Sequence, residues 1–390
     1  MLKRVIYVLL LFFPVCIFAQ EGLDSVLKQA ENNSLSFQNL IQANQLEILE
    51  AKKDIWPDQP SVDFGFGRDS KSAVSKTTYG ASQEISFPTV WVQKIRLKNH
   101  IQEKAKFSEE AFRQDLLLEV RRLFSEAVFY NKRIARDELR AKNAKEIYRF
   151  LKVRLEKGDA NILEYNKSRI EYEEQLANLR QDKAKKQEVM GQLKWFCQNP
   201  TLKIVETSYE KLVLPLYKDV EQNVISADPF LKNLEAQQRV DMQSAKIRRS
   251  EWVPNLSFSY EGERAPGVEY QGAKLGLNIP LWANKSRAQQ ATAIEKKAFF
   301  EYSDKKGIYL SNLKSLYKFT VSSQENYLHL DKAIKEYPAL KLLEKALNSG
   351  QISVLQYYQE IEDYYQLESK LLDMEKEYYQ NLAKLLKYSF

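Results

Sequence analysis

Two segments of the chain alternate between apolar and polar residues with a period of two, which is the pattern of a β-strand with one apolar face. Each segment holds two such runs separated by a polar turn, so the sequence predicts two β-hairpins, near residues 61–87 and 255–279. The apolar positions of the four strands are Val62, Phe64, Phe66, Tyr79, Ile85, Phe87, Leu256, Phe258, Tyr260, Leu275, Leu277 and Ile279. The alternate positions are mostly polar or glycine, so one face of the predicted strands is apolar and the other polar.

The segments after the hairpins predict long helices. From Pro88 to Gly158 and from Pro280 to Gly350 there are 69 intervening residues, rich in Ala, Glu, Lys, Leu and Gln. At 1.5 Å per residue, a continuous helix of this size is on the order of 100 Å long. Gly307 in the second segment is expected to interrupt or kink the helix, and the same holds for Pro338.

Each long helix ends in a motif that predicts a tight helical hairpin. Gly158 and Gly350 suit the left-handed residue that follows a helix end. Asn161 and Ser353 are good N-caps for the return helices, and Gln356 completes a capping box with Ser353. The predicted tips are Gly158, Asp159, Ala160, Asn161, Ile162 and Leu163 in the first hairpin and Gly350, Gln351, Ile352, Ser353, Val354 and Leu355 in the second.

These motifs recur in the same order, which predicts a tandem repeat. The segment that begins at Trp56 recurs at Trp252 with an offset of 196 residues, and the later proline and glycine positions recur with an offset of 192. We therefore divide the chain into repeats at 20–205 and 206–390, each with a helix, a β-hairpin and a helical hairpin. An extended connector is predicted near 198–217.

The last helix carries an apolar stripe with three-and-four spacing, which requires partner helices. The stripe consists of Tyr358, Ile361, Tyr365, Leu372, Tyr379, Leu382 and Leu386. Glu368 and Glu375 occupy two intervening positions of the stripe, where carboxylates weaken a dry coiled coil. The pattern fits a helical tube with a wet side and an imperfect coiled coil equally well.

Residues 1–19 predict a cleavable secretory signal peptide. They combine a basic start, an apolar run that ends at Phe18 and a small residue, Ala19. The run is too short for a membrane-spanning helix, which needs roughly 20 apolar residues. Lipidation of Cys16 is not expected, because the small residues that lipoprotein processing favours do not precede it.

The alternating strands allow two interpretations: a half-buried sheet on a soluble core, or a sheet that faces lipid. Export, a polar face with charges and glycines, and the lack of an apolar surplus elsewhere in the chain favour lipid. In lipid, strands close into a barrel, and about eight strands is the practical minimum. Four strands are too few, so the lipid interpretation requires an oligomer, and a ring of three copies supplies twelve strands.

Charge and composition exclude several classes of protein. The 59 basic and 52 acidic residues give a net charge of +7 that is dispersed along the chain, so no nucleic-acid partner is expected. His100 and His329 lack a partner at metal-ligand spacing, and Cys197 is the single cysteine outside residues 1–19. Because no phosphate loop, nucleophile elbow or metal motif occurs either, we expect no enzyme activity, no metal site and no cofactor.

The duplicated order of strand pair, long helix, hairpin turn and return helix resembles the TolC-type outer-membrane efflux channel family over essentially the whole mature chain. The resemblance implies a mainly α fold with a small β part. It also implies a homotrimer in which twelve strands form a barrel in outer-membrane lipid and the helices continue it as a tube across the periplasm. The expected function is a passive conduit in a tripartite efflux pump. Type I protein secretion and a soluble periplasmic coiled-coil scaffold or adaptor remain alternatives.

The resemblance also implies partners at the helical tips. There the family's periplasmic adaptor, or membrane fusion protein, and an inner-membrane pump of the RND or ABC type engage the entrance of the channel. The best-known member narrows this entrance with aspartates just after the second tip. The matching positions in this chain are Gln356 and Gln359, with Glu360 beside them, so the aperture residues differ from that pattern.

Overall fold

The computed structural model describes residues 22–68, 75–250, 252–279, 284–336 and 339–390. The predicted signal peptide, including Cys16, and the two prolines Pro280 and Pro338 lie outside the described residues.

The described chain consists of long helices and one small sheet. The first half contains helices α1 (Leu23–Asn33) and α2 (Leu35–Lys53), strands β1 (Ser61–Arg68) and β2 (Ser75–Ile85), and helices α3 (Pro88–Glu156) and α4 (Ile162–Cys197). The second half contains α5 (Tyr217–Ala227), α6 (Pro229–Ser250), β3 (Asn255–Ala265), β4 (Val268–Asn278), α7 (Asn284–Glu336), α8 (Ala339–Asn348) and α9 (Val354–Leu385), followed by a short 3-10 helix, Lys387–Ser389. The order of elements in the first half thus recurs in the second, while the exact division at 205 and 206 stays a prediction.

Two helices, rather than the single predicted helix, precede each hairpin. Ser34 separates α1 from α2, and its hydroxyl accepts a hydrogen bond from the backbone N–H of Phe37 (3.3 Å). Asp228 separates α5 from α6 in the same way and caps the N–H of Phe230 (2.8 Å). Both capping side chains are buried. In each half of the chain, the break between the two helices is thus stabilised by a buried capping residue.

Helix α3 begins at the proline predicted from the sequence, but the interruption predicted at Gly307 is wrong. Helix α3 begins at Pro88, where the missing N–H costs no helical hydrogen bond. The predicted interruption at Gly307 does not occur, because α7 continues through it. A glycine inside a helix weakens it by about 1 kcal/mol relative to alanine, which a helix of 53 residues tolerates.

The extended connector between the halves contributes to the core. It follows Cys197, the last residue of α4, which is fully buried. Leu202 and Ile204 of the connector are buried in a cluster with residues of α1, α3 and α4. Asn131 of α3 donates hydrogen bonds to the carbonyl oxygens of Ile204 and Glu206 (3.2 and 2.8 Å). These bonds fix the extended backbone against α3.

The glutamates that interrupt the stripe of α9 are paired with cations of α3. The two carboxylate oxygens of Glu375 each lie 2.6 Å from the ammonium nitrogen of Lys132. Glu368 pairs with Arg136 (2.6 Å) and Arg140 (3.0 Å). The apolar members of the stripe are buried, apart from the partly buried Tyr379. The α3–α9 contact is therefore a mixed seam in which ion pairs alternate with apolar layers.

Candidate functional site

The four strands form one antiparallel sheet in the order β1-β2-β3-β4, and its register brings the predicted apolar side chains onto one face. Directly opposed residues of antiparallel strands share a face. Phe64 opposes Tyr79, Ile85 opposes Leu256, and Phe258 opposes Leu275. Following these pairs places all the predicted apolar residues that lie within strands on the same face. Phe87 lies two residues after the end of β2, and Ile279 directly follows β4.

This apolar face is exposed. Phe64, Phe66 and Leu275 have 72%, 84% and 88% of their surface accessible. Tyr79 is partly buried because its ring lies over Gly262 on the neighbouring strand, where any side chain would collide with it. Soluble monomers rarely expose a contiguous apolar patch of more than a few hundred Å². The face therefore requires lipid or a partner, and its contact with lipid stays a prediction.

The opposite face of the sheet is polar and carries most of the charged residues of the strands. Its charged residues are Asp63, Lys76, Glu84, Glu261, Glu263 and Lys274. Lys76 pairs with Glu263 (2.7 Å), and Lys274 pairs with Glu261. Four carboxylates and two ammonium groups leave this face of the described strands with a net charge of −2.

The apolar face ends toward the turns of the hairpins. There Arg264 and Glu269 oppose each other on the same face, with 3.8 Å between charged atoms. At the other end, the face reaches Ile85 and Leu277, next to the helices. The exposed apolar surface is thus a band between charged turns and the helical part of the chain.

The two helical tips have the predicted backbone geometry. Gly158 and Gly350 adopt left-handed conformations with φ of 79° and 70°. The side chain of Asn161 accepts a hydrogen bond from the N–H of Leu163 (2.9 Å). Ser353 and Gln356 form the complete capping box, with bonds of 3.2 and 3.0 Å.

Apolar side chains are exposed at both tips. Ile162, Leu163 and Leu355 have more than half of their surface accessible, at 52%, 70% and 53%. Each tip therefore presents apolar side chains beside a capped turn. Such a surface suits docking of another protein, and this role stays a prediction.

The predicted aperture residues lie on the exposed side of the first turns of α9. Gln356, Gln359 and Glu360 are exposed, whereas Tyr357 and Tyr358 on the opposite side are buried. The side chain of Gln356 is engaged in the helix cap. The side chains of Gln359 and Glu360 are not used in the cap and are therefore more available to line an aperture. Their role at an aperture stays a prediction.

A buried pair of carboxyl groups between α3 and α4 was missed by the sequence analysis. Asp137 and Asp182 are 3% and 2% exposed. Arg133 pairs with Asp182, and Arg140 lies 3.8 Å from Asp137. Burial, a hydrogen bond with Asp182 and the charge of Asp182 raise the pKa of Asp137 to about 7. Neither aspartate stands out in the sequence, because both lie on highly charged helical segments.

Over the described ranges, no three His, Cys, Asp or Glu side chains are grouped closely enough to hold a metal ion. Among the same residues, no helix has both the length and the apolar character needed to cross a membrane.

No protein-family model matches the chain, and no curated protein sequence does either. Solved structures do match it. The CmeC outer membrane channel of Campylobacter jejuni superposes with a TM-score of 0.79 over 94% of this chain and 85% of that chain, at 14% identity. The outer-membrane channel OprN gives 0.77 over 94% and 89%, at 13% identity. The outer membrane protein VceC of Vibrio cholerae gives 0.75 over 94% and 95%, at 11% identity.

The fold of this chain is therefore that of outer-membrane channel proteins. The superpositions cover 85–95% of those three chains. The mainly α fold with a small four-stranded sheet, expected from the resemblance to the TolC type, is confirmed.

Proposed function

We propose that this protein is the subunit of an outer-membrane channel, a passive trimeric conduit that belongs to a tripartite efflux pump. The observation that carries the proposal is the exposed apolar face of the sheet, backed by a charged polar face. In a barrel, the apolar face contacts lipid and the polar face lines a water-filled lumen. A soluble periplasmic scaffold would leave the same apolar face in water.

The edges of the sheet support an oligomeric channel. The outer edges of β1 and β4 pair with no strand within the described chain. Unpaired edges are not stable in lipid, so the sheet closes with other sheets. Three copies give twelve strands, which is within the range of known membrane barrels. Pairing of β4 of one copy with β1 of the next continues the antiparallel order around the ring.

The proposed partners are those that the resemblance to the TolC type implies. The tips are proposed to contact a periplasmic adaptor, which connects them to an inner-membrane pump of the RND or ABC type. The conduit itself supplies no energy, so the pump selects and drives the substrate. Type I protein secretion uses the same arrangement and remains the second candidate. The signal peptide at 1–19 directs export, and the outer membrane with the adjoining periplasm is the proposed location.

The first experiment is extraction from outer membranes in mild detergent, followed by measurement of oligomeric mass and of conductance in a planar bilayer. We expect a detergent-dependent trimer with discrete conductance steps. A monomer or dimer that stays soluble without detergent and shows no conductance would contradict the proposal and favour a periplasmic scaffold.

The channel is expected to prefer cations, because the described polar face has a net charge of −2 per copy. Focused fields in a narrow pore raise the local concentration of counter-ions. Asp63→Arg neutralises this face and should move the reversal potential in a KCl gradient toward zero. Glu269→Arg makes the same change of charge on the other face of the sheet, so it is the matched control and should leave the reversal potential unchanged. An equal shift in both variants would contradict the assignment of the faces.

The tips are expected to be necessary for coupling to the adaptor. The double variant Leu163→Asp, Leu355→Asp removes two exposed apolar side chains, and each contributes about 1.5–3 kcal/mol when buried in an interface. We therefore expect adaptor binding to weaken by more than about tenfold. Pump-dependent resistance of cells should fall while single-channel conductance is retained. Gln351→Asp adds charge at the tip without removing apolar surface and is the control. Unchanged adaptor binding in the double variant would refute the tip assignment.

A further inference from the structure

A largely apolar cavity of about 520 Å³ lies where the first helical pair meets the sheet. Its walls come from the end of the α2 segment and from the junction of β2 with α3. The residues that line it include Trp56, Ile85, Trp91 and Lys94. The volume is within the range of small-molecule sites, which is roughly 300–1,000 Å³.

The cavity is continuous with the apolar face of the sheet. Ile85 ends β2 on that face and also lines the cavity. Trp56 and Trp91 stand at the helical side of the junction and are 68% and 48% exposed. Indole rings combine an apolar body with one N–H donor, and they concentrate where a membrane meets water.

A cation closes the helical end of the cavity. Lys94 lies three residues after Trp91 on α3 and is partly buried. Within the described residues its ammonium group has no ion-pair partner. A partly buried ammonium group is stabilised by an anion, while its apolar stem can lie along the indole. The order along the cavity is therefore apolar strand residue, two indoles and a free positive charge.

From this order we infer that the cavity binds one phospholipid of the inner leaflet, with an acyl chain against the two indoles and Ile85 and its phosphate at Lys94. The inference rests on the proposed function, which places the strand–helix junction at the membrane surface. An acyl chain extends the lipid contact of the sheet face, and the phosphate supplies the missing anion for Lys94.

At the strand–helix junction of the second repeat, residues 280–283 lie outside the described residues, so the two repeats are compared there by sequence. Trp252 is the counterpart of Trp56 and is also exposed, at 59%. At the offset of 192, however, Trp91 corresponds to Ala283 and Lys94 to Ser286. Trp282 and Lys285 keep the spacing of Trp91 and Lys94 but stand one position earlier. The inference concerns the cavity of the first repeat, where one phospholipid per chain is expected.

The test counts phospholipid bound to the purified protein by native mass spectrometry in detergent, after reconstitution with phosphatidylethanolamine and phosphatidylglycerol. We expect one retained phospholipid per chain for the wild type. Trp91→Ala and Lys94→Gln should lower its occupancy about tenfold, and Lys94→Arg should restore it. Lys98→Gln, one turn further along α3, and Trp252→Ala are the controls and should retain the lipid. Circular dichroism verifies that each variant has the helical content of the wild type.

Several outcomes would overturn the inference. Equal retention in the wild type, Trp91→Ala and Lys94→Gln would show nonspecific lipid. Displacement of the lipid by millimolar inorganic phosphate would identify a simple anion site, and a protein chain bound in its place would identify a protein-docking site. Conductance separates this inference from the proposed function. A conducting wild type without bound lipid refutes the lipid site alone, whereas a non-conducting protein that retains lipid refutes the channel alone.

Discussion

Arginine in place of Phe64 is expected to abolish assembly of the protein in the outer membrane. Phe64 lies in the middle of β1 on the apolar face and opposes Tyr79. An arginine on the lipid face near the middle of the bilayer costs about 2–4 kcal/mol, and the phenylalanine contact with lipid is lost in addition. The proposed trimer would carry the substitution three times. The summed cost is comparable to the entire stability of many folded domains, which is about 5–15 kcal/mol.

The neighbouring residue provides a closely matched control. Asp63 precedes Phe64 in the same strand but belongs to the polar face and opposes Gly80. Asp63→Arg is therefore expected to assemble normally and to change ion selectivity alone. Assembly is measured as the heat-labile trimer band in outer-membrane fractions. If both variants assembled equally well, the apolar face would not contact lipid, and the channel proposal would fail.

Short sequence patterns were sufficient to predict the strands and the two helical tips. Side chains of a strand alternate between faces, so the period of two around Phe64 and Phe258 identified the apolar face before any pairing was known. The capping box of Ser353 and Gln356 lies within four consecutive residues, and the left-handed turn at Gly350 depends on one glycine. Features of this kind need no knowledge of the tertiary packing.

The features that sequence did not predict depend on contacts between distant segments. Ser34 was overlooked because a single capping residue does not disturb a helical pattern that continues on both sides. The partners of Glu368 lie on α3, more than 200 residues earlier in the chain. The cavity at the strand–helix junction likewise combines residues near Trp56 with residues near Trp91. No local pattern encodes such pairs.

The carboxyl pair of Asp137 and Asp182 predicts a marked pH dependence of stability. The pKa of Asp137 is raised from its ordinary value of 3.8 to about 7, and burial is the largest cause. An unfolded chain releases this proton near pH 4, whereas the folded protein keeps it until about pH 7. The contribution of Asp137 to the free energy of unfolding is therefore largest below about pH 4. It falls as the pH rises from about 4 to 7 and stays at its lowest value above pH 7.

The groups around Asp137 set the size of the effect. Arg133 and Arg140 of α3 favour the charged form, while Asp182 of α4 opposes it. Glu368 of α9 binds Arg140 and so competes with Asp137 for that cation. One pKa unit corresponds to about 1.4 kcal/mol, so complete ionisation of Asp137 costs at most about 4 kcal/mol. Structural relaxation around a buried charge lowers such a cost, so we expect about 2 kcal/mol.

Asp137→Asn should remove this cost, since the amide donates to Asp182 at every pH. We expect the variant to gain about 2 kcal/mol over the wild type at pH 8 and to differ little from it at pH 4. Thermal unfolding of the detergent-solubilised protein at both pH values measures the difference. Glu138→Gln changes the adjacent, exposed carboxylate that pairs with Lys183 (2.8 Å), and its effect should be small at both pH values. A variant that is destabilised equally at pH 4 and pH 8 would show that Asp137 is ionised in the folded protein and acts as an ordinary partner of Arg140.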